Sequence, residues 1–147
     1  MAAPADASNP TPTRVYVDMV GDLFHPGHVA LLKAARAFGD HLVVGVLSDE
    51  VASSYKRRPI MSLAERVTVI EACRYVDAVV PDAPFRVTTE FLDAHGIAVV
   101  VHGDDVSPDG IEAAFGPVAA AGRLRLVRYT AGVSTTDLIR RCRARRE

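Results

Sequence analysis

Asp22-Leu23-Phe24-His25-Pro26-Gly27-His28 lies between an apolar run, Val15–Val20, and a helix-forming run, Val29–Ala35. The flanking patterns predict a strand, a tight turn and a helix, with His25 and His28 in the first helical turn. The first N–H groups of a helix have no internal partner and lie at the positive end of its dipole, so anions bind there, phosphates above all. Two imidazoles at such a turn suggest phosphoryl or nucleotidyl transfer.

Two other interpretations of this turn are open. The pattern His-x-Gly-His is short, and by itself it favours a chance turn over a catalytic site. Zinc binding is the second alternative, but two histidines supply only half of the usual tetrahedral ligand set. Cys73 and Cys142 add no paired ligand spacing, since they lie far apart in the sequence. Direct metal ligation through this motif is therefore the weaker chemical interpretation.

Composition limits the class of protein. A chain of 147 residues with 49% hydrophobic and 24% charged residues has the size of one globular domain with a real core. A formal net charge of -1 argues against nucleic-acid binding through bulk electrostatics. There is no secretory pattern, no disulfide framework and no apolar run of the roughly 18 residues that span a membrane. We expect a single cytoplasmic domain over residues 14–147, preceded by a disordered tail over residues 1–13.

Strand and helix patterns alternate along the chain. The strand runs are almost continuously apolar, as in a parallel sheet that is covered on both faces. The pattern predicts a Rossmann-like, doubly wound α/β domain with about five parallel strands and helices on both faces. The expected strands are Arg14–Val20, His41–Leu47, Ala78–Val80, Ala98–His102 and Leu124–Val127. The expected helices are Pro26–Phe38, Ser62–Tyr75, Thr88–Ala94, Gly110–Ala120 and Thr135–Arg145.

Ligands of such folds bind beyond the carboxyl ends of the strands, so the segments that follow the strands are the candidates for chemistry. Lys56-Arg57-Arg58 could close over a polyphosphate, although an exposed charged loop explains it equally well. Gly132–Asp137 could offer a second helix start to phosphate, or could be ordinary capping. Asp104 and Asp105 could accept a base amino group, hold a divalent cation or simply form a turn.

The order of these segments resembles the cytidylyltransferases, a branch of the His-x-Gly-His nucleotidyltransferases that joins CTP to a phosphorylated alcohol. The resemblance extends from Val15 to Ile139. Residues 22–28 look like the first signature of the family, and Gly132-Val133-Ser134-Thr135-Thr136 looks like its Gly-Ile-Ser-Thr-Thr signature. Glu65-Arg66 and Arg74–Pro81 match two further segments, and Lys56 falls where the family carries an essential lysine.

The resemblance implies a mechanism and a set of site residues. His25, His28 and Lys56 would be catalytic, in a direct attack of the acceptor on the α-phosphorus of CTP. Magnesium would shield the triphosphate without protein ligands, and the protein would be a homodimer. The implied CTP-binding residues are Val20, Gly21, Asp22, His25, His28, Asp104, Asp105, Arg128, Tyr129, Thr130, Gly132, Val133, Ser134 and Thr135. The implied acceptor-binding residues are Asp18, Lys56, Arg74, Phe85 and Arg86.

Two departures from the family pattern concern the nucleotide. Tyr129 stands where relatives have the arginine of Arg-Thr-x-Gly, and Arg128 would point to the opposite side if the segment is extended. Either a bent loop lets Arg128 substitute, or phosphate binding has changed. The glycine of the family's Asp-Gly-x-Phe/Tyr-Asp segment is moved to Gly21, which could reshape the nucleotide loop.

The resemblance implies that the acceptor is a small phosphomonoester or a phosphonate. Residues 81–89 and 101–105 look most like ethanolamine-phosphate cytidylyltransferases. Phe85 is a poorer cation–π partner than the Trp that a choline site would want, and Arg86 would repel a cationic head group. The chain therefore also resembles the cytidylyltransferases of phosphonate pathways. A nucleotide-binding domain without turnover and an adenylyltransferase of the same superfamily are the alternatives.

Overall fold

A computed structural model describes residues 11–129 and 132–146. Within these ranges five strands alternate with six helices. In chain order the elements are β1 (Arg14–Met19), α1 (Pro26–Arg36), β2 (His41–Val46), α2 (Asp49–Tyr55), α3 (Leu63–Glu71), β3 (Ala78–Pro81), α4 (Thr89–Ala94), β4 (Ile97–Gly103), α5 (Pro108–Ala120), β5 (Leu124–Val127) and α6 (Thr135–Ala144).

The five strands form one parallel sheet in the order β3-β2-β1-β4-β5. The chain builds outward from β1 in one direction and then returns to the other side of β1 with β4. The strand order therefore reverses between β1 and β4, where a doubly wound sheet opens a ligand-binding crevice at its carboxyl edge. The predicted Rossmann-like α/β fold is confirmed.

Both faces of the sheet are buried, which explains the continuous apolar strands. Val15 and Val17 of β1 belong to a cluster that includes Leu32 of α1 and Ile70 of α3. Tyr16, between them in the sequence, packs on the opposite face with residues from β4, α4 and α5. Alternate residues of one strand thus support two separate helical layers.

One short helix was not predicted from the sequence. α2 begins at the N-cap Ser48, whose hydroxyl accepts a hydrogen bond from the Val51 N–H at 3.1 Å. Its last turns contain Ser53 and Ser54, whose hydroxyls bond back to helix carbonyls and weaken the helical signal in the sequence. α2 matters for function because it delivers Tyr55 and Lys56 to the carboxyl edge of the sheet.

Most of the expected N-terminal tail, residues 1–13, lies outside the described residues. Residues 11–13 are exposed and form no regular secondary structure. β1 begins at Arg14, and both the single domain over residues 14–147 and the disorder of the tail stay predictions. No helix in residues 11–129 and 132–146 has both the length and the apolar character to cross a membrane.

Candidate active site

A cavity of about 610 Å³ opens at the carboxyl edge of the sheet, around the ends of β1 and β4. It brings together segments that are more than a hundred residues apart in the sequence. The sequence-predicted residues that line it are Asp18, Val20, Gly21, Asp22, His25, His28, Lys56, Asp105, Arg128, Tyr129, Val133, Ser134 and Thr135. Asp104 and Gly132 adjoin lining residues without lining the cavity themselves, and Thr130 lies outside the described residues.

His25 and His28 fix each other at the start of α1. His25 is the N-cap, and its Nδ1 accepts a hydrogen bond from the Gly27 N–H at 3.0 Å. The His25 N–H in turn donates to Nδ1 of His28 at 3.1 Å, so each imidazole satisfies a backbone donor of the turn. A Cβ on Gly27 would lie 2.7 Å from the His25 ring and 3.0 Å from the Val133 carbonyl oxygen, so this position requires glycine.

These hydrogen bonds define the protonation of both rings. Because each Nδ1 accepts a backbone N–H, the hydrogen of each neutral ring is on Nε2. Burial lowers the pKa of His28 to about 4, helped by the nearby His25 and Lys56, and burial also lowers the pKa of His25. The two ring centroids are only 3.9 Å apart. At neutral pH the cavity wall therefore contains two neutral imidazoles, each with its N–H donor on Nε2.

The start of α6 meets the start of α1 across the cavity. Thr135 donates its hydroxyl hydrogen to the Asp22 carbonyl at 3.2 Å, and the same hydroxyl oxygen lies 3.3 Å from Nε2 of His25. Ser134 caps α6 by accepting the Asp137 N–H at 3.0 Å. Helix geometry leaves the N–H groups of Thr135 and Thr136 without an acceptor inside the helix. Two helix amino termini thus face one cavity, which suits an anion.

Asp22 has a structural task that the sequence did not predict. Its two carboxylate oxygens accept the N–H groups of Ile60 and Met61, each at 2.9 Å. The carboxylate therefore ties the loop after α2 to the turn before α1. Asp22 thus lines the cavity while its side chain holds these two segments together. A carboxylate with two such bonds is largely satisfied before any ligand arrives.

Arg66 is a fully buried support behind the cavity. Its guanidinium donates to the carbonyls of Val20 and Leu47 at 2.7 Å and to the Asp49 carboxylate at 2.6 Å. A further bond reaches the Met61 carbonyl at 3.2 Å. One side chain thus joins the ends of β1 and β2 to the starts of α2 and α3. Sequence reasoning found Arg66 only as part of the family's Glu-Arg match, with no indication of this role.

Asp18 forms the acidic floor of the cavity. The side chain is buried, and burial raises the pKa of its carboxyl to about 6, while His102 and Lys56 nearby limit the rise. Among the described residues, no side chain donates a hydrogen bond to it. Tyr55 lies close enough that Asp18 adds to the effect of burial in raising the pKa of its phenol to about 12. The floor therefore offers a buried anion beside an aromatic ring.

Three cationic side chains, Lys56, Arg57 and Arg128, line the cavity and form what we call the cationic rim. Nζ of Lys56 lies 5.6 Å from the centroid of the Tyr55 ring, and Nη1 of Arg57 donates to the Thr136 hydroxyl at 3.1 Å.

Arg128 and Tyr129 both line the cavity, as the alternative of a bent loop predicts. The reason is that β5 ends at Val127, so strand alternation stops before them. The Tyr129 N–H donates to the Asp104 carboxylate at 2.8 Å, so Asp104 holds this loop in place.

Three expected acceptor residues lie outside the cavity. Arg74 lines a separate depression with Phe24 and Tyr75, because it lies in the turn between α3 and β3. Phe85 packs behind the wall, with its ring centroid 5.3 Å from that of Tyr55. Arg86 donates to the Glu112 and Ala113 carbonyls at 2.7 and 2.9 Å, since the loop after β3 runs along α5. These three side chains therefore do not line this cavity, and their contact with an acceptor stays a prediction.

Other lining residues were not assigned to CTP or to the acceptor from the sequence. They include Tyr55, His102 and Thr136, and also Arg57, which the sequence indicated only as part of a cationic segment that could close over a polyphosphate. Each belongs to a segment that follows a strand or precedes a helix at the carboxyl edge, and that position was the available signal. In the described residues no group of three His, Cys, Asp or Glu side chains converges in a metal-binding arrangement.

Comparison with known proteins agrees with this site. A family model described as cytidylyltransferase-like matches residues 21–141. An ethanolamine-phosphate cytidylyltransferase of Arabidopsis thaliana is 43% identical over 136 residues, which cover 88% of this chain and 32% of that protein. Choline-phosphate cytidylyltransferase A of Rattus norvegicus is 42% identical over 134 residues, which cover 88% of this chain and 36% of that protein.

The chain thus spans about a third of the length of these relatives. A crystal structure described as a lipopolysaccharide core biosynthesis protein, from Thermoplasma volcanium GSS1, shares the fold with a TM-score of 0.68. It is 24% identical, and the match covers 84% of this chain and 100% of that one. The family match over most of the chain and the two high identities lead to one conclusion: this chain belongs to the cytidylyltransferase-like family.

Proposed function

We propose that this domain transfers CMP from CTP to a small phosphorylated alcohol and releases pyrophosphate. The observation that carries the proposal is the convergence of His25, His28 and Lys56 with the start of α6 in one cavity. Neutral N–H donors, a mobile ammonium charge and two helix amino termini together suit a polyphosphate. The names of the similar proteins, both cytidylyltransferases, support the same activity.

The reaction needs a single displacement at the α-phosphorus. An oxygen of the acceptor phosphate attacks in line and forms a new P–O bond, while the bond from the α-phosphorus to the bridging oxygen breaks. Pyrophosphate leaves with the electron pair of that bond. The attacking oxygen is already ionised at neutral pH, so no general base is required. The protein acts by positioning both substrates and by stabilising charge on the oxygens.

We assign charge stabilisation to His25, His28 and Lys56. Burial disfavours the charged forms of both imidazoles, and each Nδ1 accepts a backbone N–H, so a second ring proton would have to displace that hydrogen bond. Each ring therefore acts as a neutral donor through its Nε2–H to oxygens of the triphosphate. Lys56, at the rim, can reach phosphate oxygens of both substrates, as the resemblance implies.

For the acceptor we propose a phosphoethanolamine-like molecule first. The buried Asp18 carboxylate has the charge to hold a primary ammonium, and the Tyr55 ring can add a cation–π contact. Because Arg86 is bound to carbonyls of α5, it does not oppose a cationic head group as the sequence had indicated. A hydroxyalkylphosphonate has no ammonium to pair with Asp18, and it is the alternative acceptor.

Magnesium is proposed on the triphosphate itself. Magnesium at nucleotide sites is held mainly by phosphate oxygens and water, with one or two carboxylates at most. Both oxygens of Asp22, a carboxylate that lines the cavity, already accept backbone N–H groups. None of the steps assigned to the histidines or to Lys56 depends on a magnesium site of the protein.

We also propose that the domain forms a homodimer, as the family resemblance implies. A surface depression of about 410 Å³ outside the active site is lined by Phe24, Val29, Val69 and Tyr75, among others. Apolar side chains at the surface are the kind that a partner covers. Light scattering on the purified chain should give twice the monomer mass, and a monomer at micromolar concentration would exclude the proposal.

The test of the function is pyrophosphate release from CTP over a panel of acceptors. The panel contains phosphoethanolamine, phosphocholine, glycerol 3-phosphate and 2-hydroxyethylphosphonate. We expect release that requires both CTP and an acceptor, with phosphoethanolamine among the best. Release from ATP rather than CTP would instead show an adenylyltransferase. CTP binding in calorimetry with no release from any mixture would show a nucleotide-binding domain without turnover.

A further inference from the structure

Arg57 lines the active-site cavity and differs in its partner from five other arginines of the described structure. Arg36, Arg66, Arg86, Arg123 and Arg141 each have a carboxylate within ion-pair distance. In the described residues Arg57 has none, and its guanidinium instead donates to the neutral hydroxyl of Thr136 at 3.1 Å. The guanidinium of Arg57 therefore enters the cavity wall without an ion-pair partner among the described residues.

The position of that charge is set by two distant parts of the chain. Arg57 follows α2, and Thr136 is the second residue of α6, 79 positions later in the sequence. The contact places a guanidinium beside the N–H groups of Thr135 and Thr136, which have no acceptor within the helix. One nitrogen of the fork holds the hydroxyl, so the others are free to donate to an anion.

The charged side chains around the cavity favour anion binding beside Arg57 and the start of α6. Asp18, Asp22 and Asp105 line the cavity together with the three cations of the rim. Asp18 lies on the floor, whereas Arg57 lies at the start of α6. The cavity is thus anionic where an ammonium group would be bound and cationic where a polyphosphate would meet the two helix starts.

We propose that Arg57 binds the β- and γ-phosphates of the nucleoside triphosphate and, through Thr136, fastens the loop after α2 to the start of α6. This inference rests on the proposed function and deepens it, since it names the residue that distinguishes a triphosphate from a monophosphate. Arg57 supplies a two-pronged donor in the cavity that Tyr129 also lines, and the aromatic side chain of Tyr129 cannot contact phosphate as a cation. Lys56 then stays available for the phosphate of the acceptor.

The experiment compares Arg57→Gln with Arg58→Gln in calorimetric titrations of CTP and CMP. Arg58 is the matched control because it is the next residue, is exposed and does not line the cavity. We expect Arg57→Gln to weaken CTP binding about 10- to 100-fold, the range for a charged hydrogen bond, and to leave CMP binding unchanged. Arg58→Gln should bind both nucleotides as the wild type does.

Two further variants test whether the charge of Arg57 or the geometry of its guanidinium determines the affinity for CTP. Arg57→Lys keeps the charge without the fork and should fall between the wild type and Arg57→Gln. Adding Tyr129→Arg to Arg57→Gln should restore part of the CTP affinity, because Tyr129 lines the same cavity. Both single variants at position 57 should melt within a few degrees of the wild type, since the side chain is exposed.

The failures are distinguishable. If the wild type binds and turns over CTP but Arg57→Gln matches Arg58→Gln, the role of Arg57 is overturned and the proposed function stands. An equal loss of CTP and CMP affinity would overturn contact with the β- and γ-phosphates. If the wild type binds no nucleotide, the proposed function itself fails, and this inference fails with it.

Discussion

The two sides of the cavity are built in opposite ways. The inner wall, residues 18–28, is buried or half-buried except at Pro26, and hydrogen bonds of Asp22, Arg66 and the two histidines tie it to backbone groups. The rim residues Lys56, Arg57 and Arg128 are exposed. The inner wall is thus held in place by its own hydrogen bonds. The rim instead supplies positive charges on exposed side chains, which a bound ligand would order. Substitutions in the inner wall should affect folding and chemistry together, and substitutions in the rim should affect binding and turnover alone.

Arg66→Met should have the largest effect on stability. It removes the donor of four hydrogen bonds and leaves the Asp49 carboxylate and three carbonyls without it. Breaking a buried ion pair in this way costs about 3–5 kcal/mol in the free energy of unfolding, which urea denaturation measures. Arg36→Met is the control, because the side chain of Arg36 is 34% exposed in its ion pair, and we expect a loss under about 1 kcal/mol. Equal losses of unfolding free energy in the two variants would contradict the proposed difference between the buried Arg66 behind the inner wall and a surface ion pair.

His28→Ala should lower kcat by about 10²- to 10³-fold, the usual loss for one preorganised donor to a transition state. It also removes the acceptor of the His25 N–H, so a loss of about 1 kcal/mol in the free energy of unfolding should accompany it. Steady-state kinetics and urea denaturation on one preparation measure both. Wild-type turnover in a folded His28→Ala protein would refute the catalytic assignment.

Lys56→Met should lower activity with little effect on stability, unlike substitutions in the inner wall. The side chain is exposed, so the free energy of unfolding should change by less than about 0.5 kcal/mol. Loss of its charge should lower kcat/KM by about 10- to 100-fold, because a charged hydrogen bond to phosphate is lost. A large loss of stability would show that the rim is structural after all.

The pH dependence of the free energy of unfolding should show opposing contributions from His28 and Asp18. Because the two partly cancel, the net change in the wild type should be the smallest of the expected effects. The pKa of His28 falls from 6.5 to about 4 on folding, so its contribution to stability is present above pH 6.5 and is lost as the pH falls toward 4. The pKa of the Asp18 carboxyl rises from 3.8 to about 6, so its contribution is present below pH 3.8 and is lost as the pH rises through 6. In the wild type the two partly cancel between about pH 4 and 6.

Single substitutions should expose each contribution in that window. Asp18→Asn leaves the histidine contribution, so its unfolding free energy should fall more steeply than that of the wild type on acidification. His28→Gln leaves the carboxyl contribution, so its unfolding free energy should fall as the pH rises. Denaturation at a series of pH values measures these slopes. Parallel slopes for all three proteins would contradict the burial of both groups.

The sequence predicted the fold and the position of His25 and His28 at the start of α1 because both depend on local signals. Continuous apolar strands, a helix after each and the turn before Pro26 fix β1, α1 and the sheet class. The extent of the strands agrees closely with the structure, for example Leu124–Val127 for β5. α2 was missed because its serines compete for backbone bonds, so that the local preference is weak.

The rim and the acceptor side were predicted less well, because they depend on contacts between distant segments. Arg86 contacts carbonyls of α5 that lie 26 and 27 residues away, and no local pattern encodes that pairing. Arg128 and Tyr129 follow the last strand, where the rule of alternating sides no longer applies. The partners of Arg57 and Arg66 are likewise visible only in three dimensions.

The central claim is that the cavity joins CMP to a phosphorylated acceptor. Phosphorus NMR of the protein with CTP, magnesium and phosphoethanolamine tests it most directly. We expect the acceptor and triphosphate signals to be replaced by pyrophosphate and by two coupled resonances of a new diphosphate. With His28→Ala this conversion should be slower by the same factor as in kinetics. Unchanged CTP, or CMP and pyrophosphate without the new diphosphate, would contradict the account.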